Sequence, residues 1–144
     1  NSRPRHAGWR DPASRFRVRG MNSPYEQLGD EGVRALVDHF YRAMDTRPDA
    51  AVIRAMHKEE LALMSDKLAT FLVGWMGGPQ RYNERFGRVV IPAAHQRFDI
   101  GPAERDAWLA CMQDAVDASA LTPDMAKRVM DSFGKMAEMC RTRD

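Results

Sequence analysis

The sequence predicts an all-α fold, and three observations carry that prediction. Apolar residues recur at helical spacings, i, i+3, i+4 and i+7, in four long segments. Those segments are bracketed by small polar residues, prolines and glycines of the kind that start and stop helices. Between the second and third segments lies an irregular stretch, residues 80–100, with no helical period. Four inward-facing stripes close around one core, and a chain of 144 residues is long enough to bury one.

The elements follow in order. In "SPYEQLG", Ser23 is placed to cap, Pro24 to occupy the first helical position and Gly29 to stop one or two turns. Asp30 then opens a longer helix with the stripe Val33, Leu36, Val37, Phe40, Tyr41 and Met44, which Pro48 closes. "DAAVIRAMH" reads as a short helix ending near His57. The second long helix runs from about Glu59 to Met76, with the stripe Leu61, Met64 or Ser65, Leu68, Phe71, Leu72 and Trp75. Gly77-Gly78-Pro79 ends it, because glycine takes positive φ and proline cannot continue the ladder.

The insert from Gln80 to Ile100 reads as an extended loop with one helical turn at Pro92 to Gln96. "RVVI" has strand propensity, but a lone strand has no partner. Irregular stretches this long are usually functional or disordered. Gly101-Pro102 starts the third long helix, with Ala107 and Trp108, Cys111 and Met112, Ala115 and Ala118 inward. Thr122-Pro123-Asp124 starts the last, whose stripe is Ala126, Val129, Met130, Phe133, Met136, Ala137 and Cys140.

Bulk numbers exclude several classes. The apolar fraction of 44% and charged fraction of 29% are those of an ordinary globular protein. No apolar run approaches the roughly 18 residues a membrane helix needs. Two cysteines, Cys111 and Cys140, make no disulfide framework, so a cytoplasmic protein with reduced thiols is expected. The net charge of +2 hides an asymmetry: residues 1–20 hold six arginines against one acid, Asp11, and the rest is net acidic. Residues 1–22 are therefore expected to be a disordered Arg-rich extension, with Met21 a plausible natural start, and residues 23–144 the folded domain. A nucleic-acid role would rest on that extension alone, and neither nucleic acid nor membrane is expected as a partner.

His95 lies in the insert, just before a helix start. An imidazole held by a loop against an apolar helical pocket is how a protein offers a ligand to an iron porphyrin, although a lone histidine is more often a hydrogen-bonded surface residue. His6 falls in the extension, His39 lies off its helix's stripe, and His57 sits where a helix-end cap role suffices. Tyr41 and Trp108 fall on inward stripes, and each carries one polar handle. Such a handle finds either a backbone acceptor in the core or a ligand in a cavity.

Four stretches carry a resemblance: "YEQLG", "HFYRAMD", "FLVGWMGGPQRYNERFG" and "HQRFDIGPAERDAWLACM". From about Ser23 to Arg141 the chain resembles a truncated haemoglobin, the two-over-two globin family, of group II. The resemblance implies a globin-like two-over-two helical sandwich whose long irregular loop carries the proximal histidine, with haem b (iron protoporphyrin IX) as cofactor. His95 matches the proximal iron ligand. Tyr41, His57 and Trp108 match polar residues facing the bound ligand, Leu68 an apolar distal contact, and Met64 the place where other globins put a distal histidine. Lys67 matches a basic residue that pairs with a haem propionate. Phe40, Phe71, Leu72 and Phe98 match residues of the haem surround. The family's Arg before the proximal histidine is replaced by Ala94, and Gln96-Arg97 follow it, so Arg97 is the candidate substitute for that propionate contact.

The implied function is binding of O₂ and related diatomics at a polar distal site. NO, CO and peroxide are the other candidate ligands. NO dioxygenase or peroxidase-like turnover, with an unidentified reductant, is left open, as are O₂ scavenging or sensing and a homodimeric state. Three donors, Tyr41, His57 and Trp108, would slow O₂ release: at roughly 0.5–1.5 kcal/mol per hydrogen bond, two slow escape by about five- to a hundredfold. The alternative is a cofactor-free helical module that binds a partner and shows no porphyrin absorption.

Overall fold

The computed structural model describes residues 16, 23–57 and 60–144. Seven α-helices lie in the described residues: α1 (Pro24–Thr46), α2 (Ala51–Met56), α3 (Leu61–Trp75), α4 (Tyr82–Phe86), α5 (Ile91–His95), α6 (Pro102–Asp117) and α7 (Pro123–Met139). A 3₁₀ turn at Pro48–Ala50 leads into α2. No strand occurs among the described residues, so "RVVI" is extended backbone running into α5.

Local chemistry sets the helix starts. Ser23 and Glu26 form a capping box: the Glu26 N–H reaches the Ser23 hydroxyl and the Ser23 N–H reaches the Glu26 carboxylate. Gly29, at φ 68° and ψ 179°, then breaks α1 into a first turn and a long helix, at the expected position. The first turn docks on the end of α3 through the Tyr25 N–H and the Met76 carbonyl, 3.1 Å apart. Gly78 permits this approach, since a Cβ there would fall 2.7 Å from the Tyr25 ring. Asp30 accepts from the Tyr25 hydroxyl and the Arg81 guanidinium, which ties α1 to the beginning of the insert.

The helices form two layers. α1 packs against α3 and α6, and α6 packs against α7. Val33, Leu36, Val37, Phe40 and Met44 of α1 meet Leu72 and Val73 of α3, Cys111, Met112 and Ala115 of α6, and Met125, Val129 and Phe133 of α7 in one buried cluster. The fold class is the expected two-over-two helical sandwich.

Three differences from the sequence reading have physical causes. First, α4 occupies a stretch read as loop. Its five residues are too few to display a period, and tertiary contacts hold it: Arg85 pairs with Asp66 and donates to the Thr70 hydroxyl, while Tyr82 packs edge-on against Phe71. Second, the deeply buried face of α3 is Ala69, Thr70, Leu72 and Val73, whereas Leu68, Phe71 and Trp75 are half-buried and Leu61 is exposed. One helix serves both a packed core and a cavity wall, and a sequence period cannot separate the two. Third, Phe16 lies within the expected extension, yet its ring is fully buried, edge-on to Trp75 at 5.2 Å. Trp75 in turn stacks on Phe133 at 4.5 Å. The rest of the 1–22 expectation lies outside the described residues.

Candidate functional site

A cavity of about 870 Å³ opens between the layers and the insert. Its size is that of a site for a large organic ligand, and apolar groups dominate its wall. α1 contributes Phe40 and Tyr41, the end of α2 Ile53 and His57, and α3 Met64, Lys67, Leu68 and Phe71. The insert contributes His95, Arg97 and Phe98, and α6 contributes Trp108. Eleven of the sequence-predicted site residues thus share one cavity. Leu72 does not line it: it is fully buried in the helix-packed core, one residue round α3 from Phe71. The sequence reading missed Tyr82, Val89 and Ile91 of the insert, Met136 of α7 and Cys140 just after it, which also line the wall. Met136 and Cys140 were already on α7's inward stripe, but nothing local distinguished cavity from core.

Two histidines enter the cavity by the same local device. His95 ends α5, and its Nδ1 lies 2.8 Å from the Ile91 carbonyl one turn back. His57 follows α2, and its Nδ1 lies 2.7 Å from the Ile53 carbonyl, also one turn back. A carbonyl only accepts, so each Nδ1 carries the proton and each Nε2 of a neutral ring carries the lone pair. Burial pushes the His57 pKa below its ordinary value, with the Ile53 hydrogen bond partly opposing, so the ring is neutral at pH 7. A neutral His57 with this tautomer accepts a hydrogen bond at Nε2 and does not donate one. Of the three residues expected as distal donors, His57 in this tautomer accepts at Nε2, while Tyr41 and Trp108 carry an O–H and an N–H on the cavity wall. The helix-end role expected of His57 is also real, since its ring donates to a carbonyl in the last turn of α2.

A run of rings positions the donors. Trp108 meets Phe40 edge-on at 5.3 Å, Phe40 meets Tyr41 at 5.1 Å, and Tyr41 meets His57 at 6.0 Å. From the insert, His95 and Phe98 face the same cavity with ring centroids 6.4 Å apart. Two cations border the wall: the Arg97 guanidinium lies 4.7 Å from the Phe98 ring, and the Lys67 ammonium 5.8 Å from the Phe86 ring.

These residues fit a haem. The cavity is large enough for a flat macrocycle, an imidazole lone pair is available inside it, and cations stand where carboxylate side chains could be met. Burial raises both cysteine thiols, Cys111 to about 11, so neither is a thiolate at pH 7 and imidazole is the base on offer. Among the described residues no group of three or more His, Cys, Asp or Glu could hold a bare metal ion.

The bacterial-like globin family matches residues 23–142. This chain belongs to that family. It is 35% identical over 116 residues to a group 2 truncated haemoglobin of Bacillus subtilis (strain 168), covering 81% of this chain and 83% of the relative. The group II 2-on-2 haemoglobin of the plant pathogen Agrobacterium tumefaciens superposes with a TM-score of 0.81 at 34% identity, covering 87% of this chain and 98% of that one. A truncated oxygen-avid haemoglobin from Bacillus subtilis superposes with a TM-score of 0.75 at 31% identity, covering 83% and 99%. Membership in this globin family, with group II truncated haemoglobins as its relatives, implies a haem cofactor and a small gaseous ligand such as O₂. No helix among the described residues is long and apolar enough to cross a membrane.

Proposed function

We propose that this globin holds haem b through His95 and binds O₂ with hydrogen bonds from Tyr41 and Trp108. The observation that carries the reading is the convergence of those three side chains on one cavity from three separate segments. When bound, haem supplies the ferrous iron at which a diatomic ligand is taken up reversibly. His95 offers its Nε2 lone pair, and the Nδ1–H bond to the Ile91 carbonyl fixes the ring's direction and tautomer. The Tyr41 and Trp108 donors face the negative charge that gathers on O₂ in such a pocket. Their aromatic neighbours restrict both rings, so the donors are preorganised before a ligand arrives. Met64, Leu68 and Ile53 keep the wall around them apolar, which excludes competing water. Lys67 and Arg97, the cations on this wall, would meet the propionates, and Arg97 would take the part that Ala94 cannot.

His57 acts as a base beside the donors. Its Nε2 accepts a proton shared by a neighbouring hydroxyl or by a protonated ligand such as hydrogen peroxide. The Tyr41 and Trp108 donors, with the oxygen avidity of the Bacillus subtilis relative, favour O₂ retention over simple transport. It suits scavenging, sensing or redox chemistry on NO or peroxide with an external reductant, and CO is a further ligand of the right size. A cofactor-free helical module has no support: it leaves the paired imidazoles and the cavity without a purpose.

Visible spectra of the purified protein loaded with haemin test the reading. The ferric, ferrous and CO forms of the parent should show porphyrin bands with an imidazole ligand, and His95→Ala should lose the proximal bond and retain haemin poorly. Unchanged proximal bonding in His95→Ala would refute the assignment.

A further inference from the structure

The C-terminal residues fasten the end of the insert that carries His95. The His95 carbonyl accepts from the Phe98 N–H at 3.0 Å. The Phe98 carbonyl accepts from the Thr142 hydroxyl at 2.7 Å, and the same hydroxyl oxygen accepts from the Ile100 N–H at 2.8 Å. The Ile100 carbonyl takes the N–H groups of Thr142 and Arg143, at 2.8 and 3.2 Å. Beyond this, the Arg143 guanidinium reaches Asp99 at 2.6 Å and Glu104 at 2.7 Å. The Glu104 carboxylate also accepts from the Gly101 N–H at 2.7 Å, so one carboxylate joins the start of α6 to the C-terminus. Gly101 makes room for this: a Cβ there would lie 2.3 Å from the guanidinium Nη1. Its φ of −104° is open to any residue, so glycine contributes space for the guanidinium here and not backbone freedom.

α5 has only five residues and no side-chain cap at its start. A helix that short does not hold its own direction. The His95 ring is tied to the backbone of α5, so the direction of Nε2 follows the path of the chain on either side. On the C-terminal side, Thr142 and Arg143 hold that path from Phe98 to Gly101.

We propose that Thr142 and Arg143 form a clasp that sets the direction of the His95 imidazole, making them positioning residues for the proximal ligand. The inference rests on the reading of His95 as the iron ligand. It assigns a role in ligand chemistry to residues that do not line the cavity.

The full chain loaded with haemin tests it by two measurements: the iron–imidazole vibration of the ligand-free ferrous form, and the rate of haemin transfer to apomyoglobin. Thr142→Val removes the bridging hydroxyl while keeping the shape. It should shift or broaden the band and speed transfer by about five- to a hundredfold, as expected for two lost hydrogen bonds. Thr142→Ser keeps the hydroxyl and should restore both parental values, which a packing role for the methyl group would not allow. Should Thr142→Val fold poorly, Gly101→Ala displaces only the guanidinium and should shift the band in the same direction by less. A parental band and rate in the folded Thr142→Val protein, or no rescue by Thr142→Ser, would overturn the clasp. His95→Ala separates the two readings: if it keeps the parental band, the ligand assignment has failed, and if it alone loses the band, only the clasp has.

Discussion

Replacing Trp108 with phenylalanine should speed O₂ release from the reduced, haem-loaded protein by about two- to tenfold at neutral pH. The change removes one N–H donor from the cavity, and a hydrogen bond of this kind contributes roughly 0.5–1.5 kcal/mol net. At about 1.4 kcal/mol per factor of ten, the upper end corresponds to about tenfold. The structure limits the collateral damage. Trp108 meets Phe40 edge-on at 5.3 Å and Phe133 at 5.5 Å, and a phenyl ring in the same rotamer keeps an edge toward both. The loss of aromatic contact should stay near 1 kcal/mol, leaving the fold intact. His57→Phe is the informative contrast. With Nδ1 donating to the Ile53 carbonyl and the ring neutral, His57 has no proton to give the ligand. Its loss should leave O₂ release at pH 7 within about twofold of the parent, the size of the weakest neutral hydrogen bond. Stopped-flow displacement of O₂ by CO reads both variants. A parental rate in Trp108→Phe removes it from the distal role. Faster release in His57→Phe than in Trp108→Phe overturns the tautomer argument.

Three further outcomes are expected. Because burial holds the folded His57 pKa below its ordinary value of 6.5, the unfolded chain binds this proton first as pH falls. Its contribution to stability is full above pH 6.5 and is lost as pH falls through the lower folded value, so His57→Phe should flatten that part of a denaturation-versus-pH curve. Phe16→Ala should lower the denaturation midpoint by the equivalent of about 3 kcal/mol, because a fully buried ring against Trp75 is removed; no change would mean that residue 16 is not part of the folded core in solution. Gly78→Ala should destabilise by about 1–3 kcal/mol, since the added Cβ would press on the Tyr25 ring and on the first turn of α1, and thermal melting measures it.

Much of the fold was legible because it is decided locally. Ser23 with Glu26 caps a helix wherever it occurs, Gly29 takes a positive φ that other residues resist, and Pro102 suits a first helical position. His95 and Trp108 stood out because they are rare residue types set around a helix start, in a stretch that resembles a known motif. α4 escaped notice because five residues show no period, and its hold on Asp66 and Thr70 joins segments far apart in sequence. Phe16 went unremarked for a related reason: its partner Trp75 lies far along the chain, and the Arg-rich stretch around it gave no sign of the contact.

The chain's own order of residues determined where helices begin and end, which stripes turn inward and that an imidazole sits in the insert, since capping, backbone freedom and side-chain period act over a few residues. Tertiary structure decided which inward residues face a cavity and which face the core, so that Phe71 lines the wall and its neighbour Leu72 does not. It also decided that His57 presents a lone pair and that Thr142 reaches the loop beyond His95. A cavity is space that packing leaves unfilled, and a hydrogen bond between distant segments depends on where other helices have already gone. Neither is a property of a short stretch of sequence, so both emerge only when the layers close.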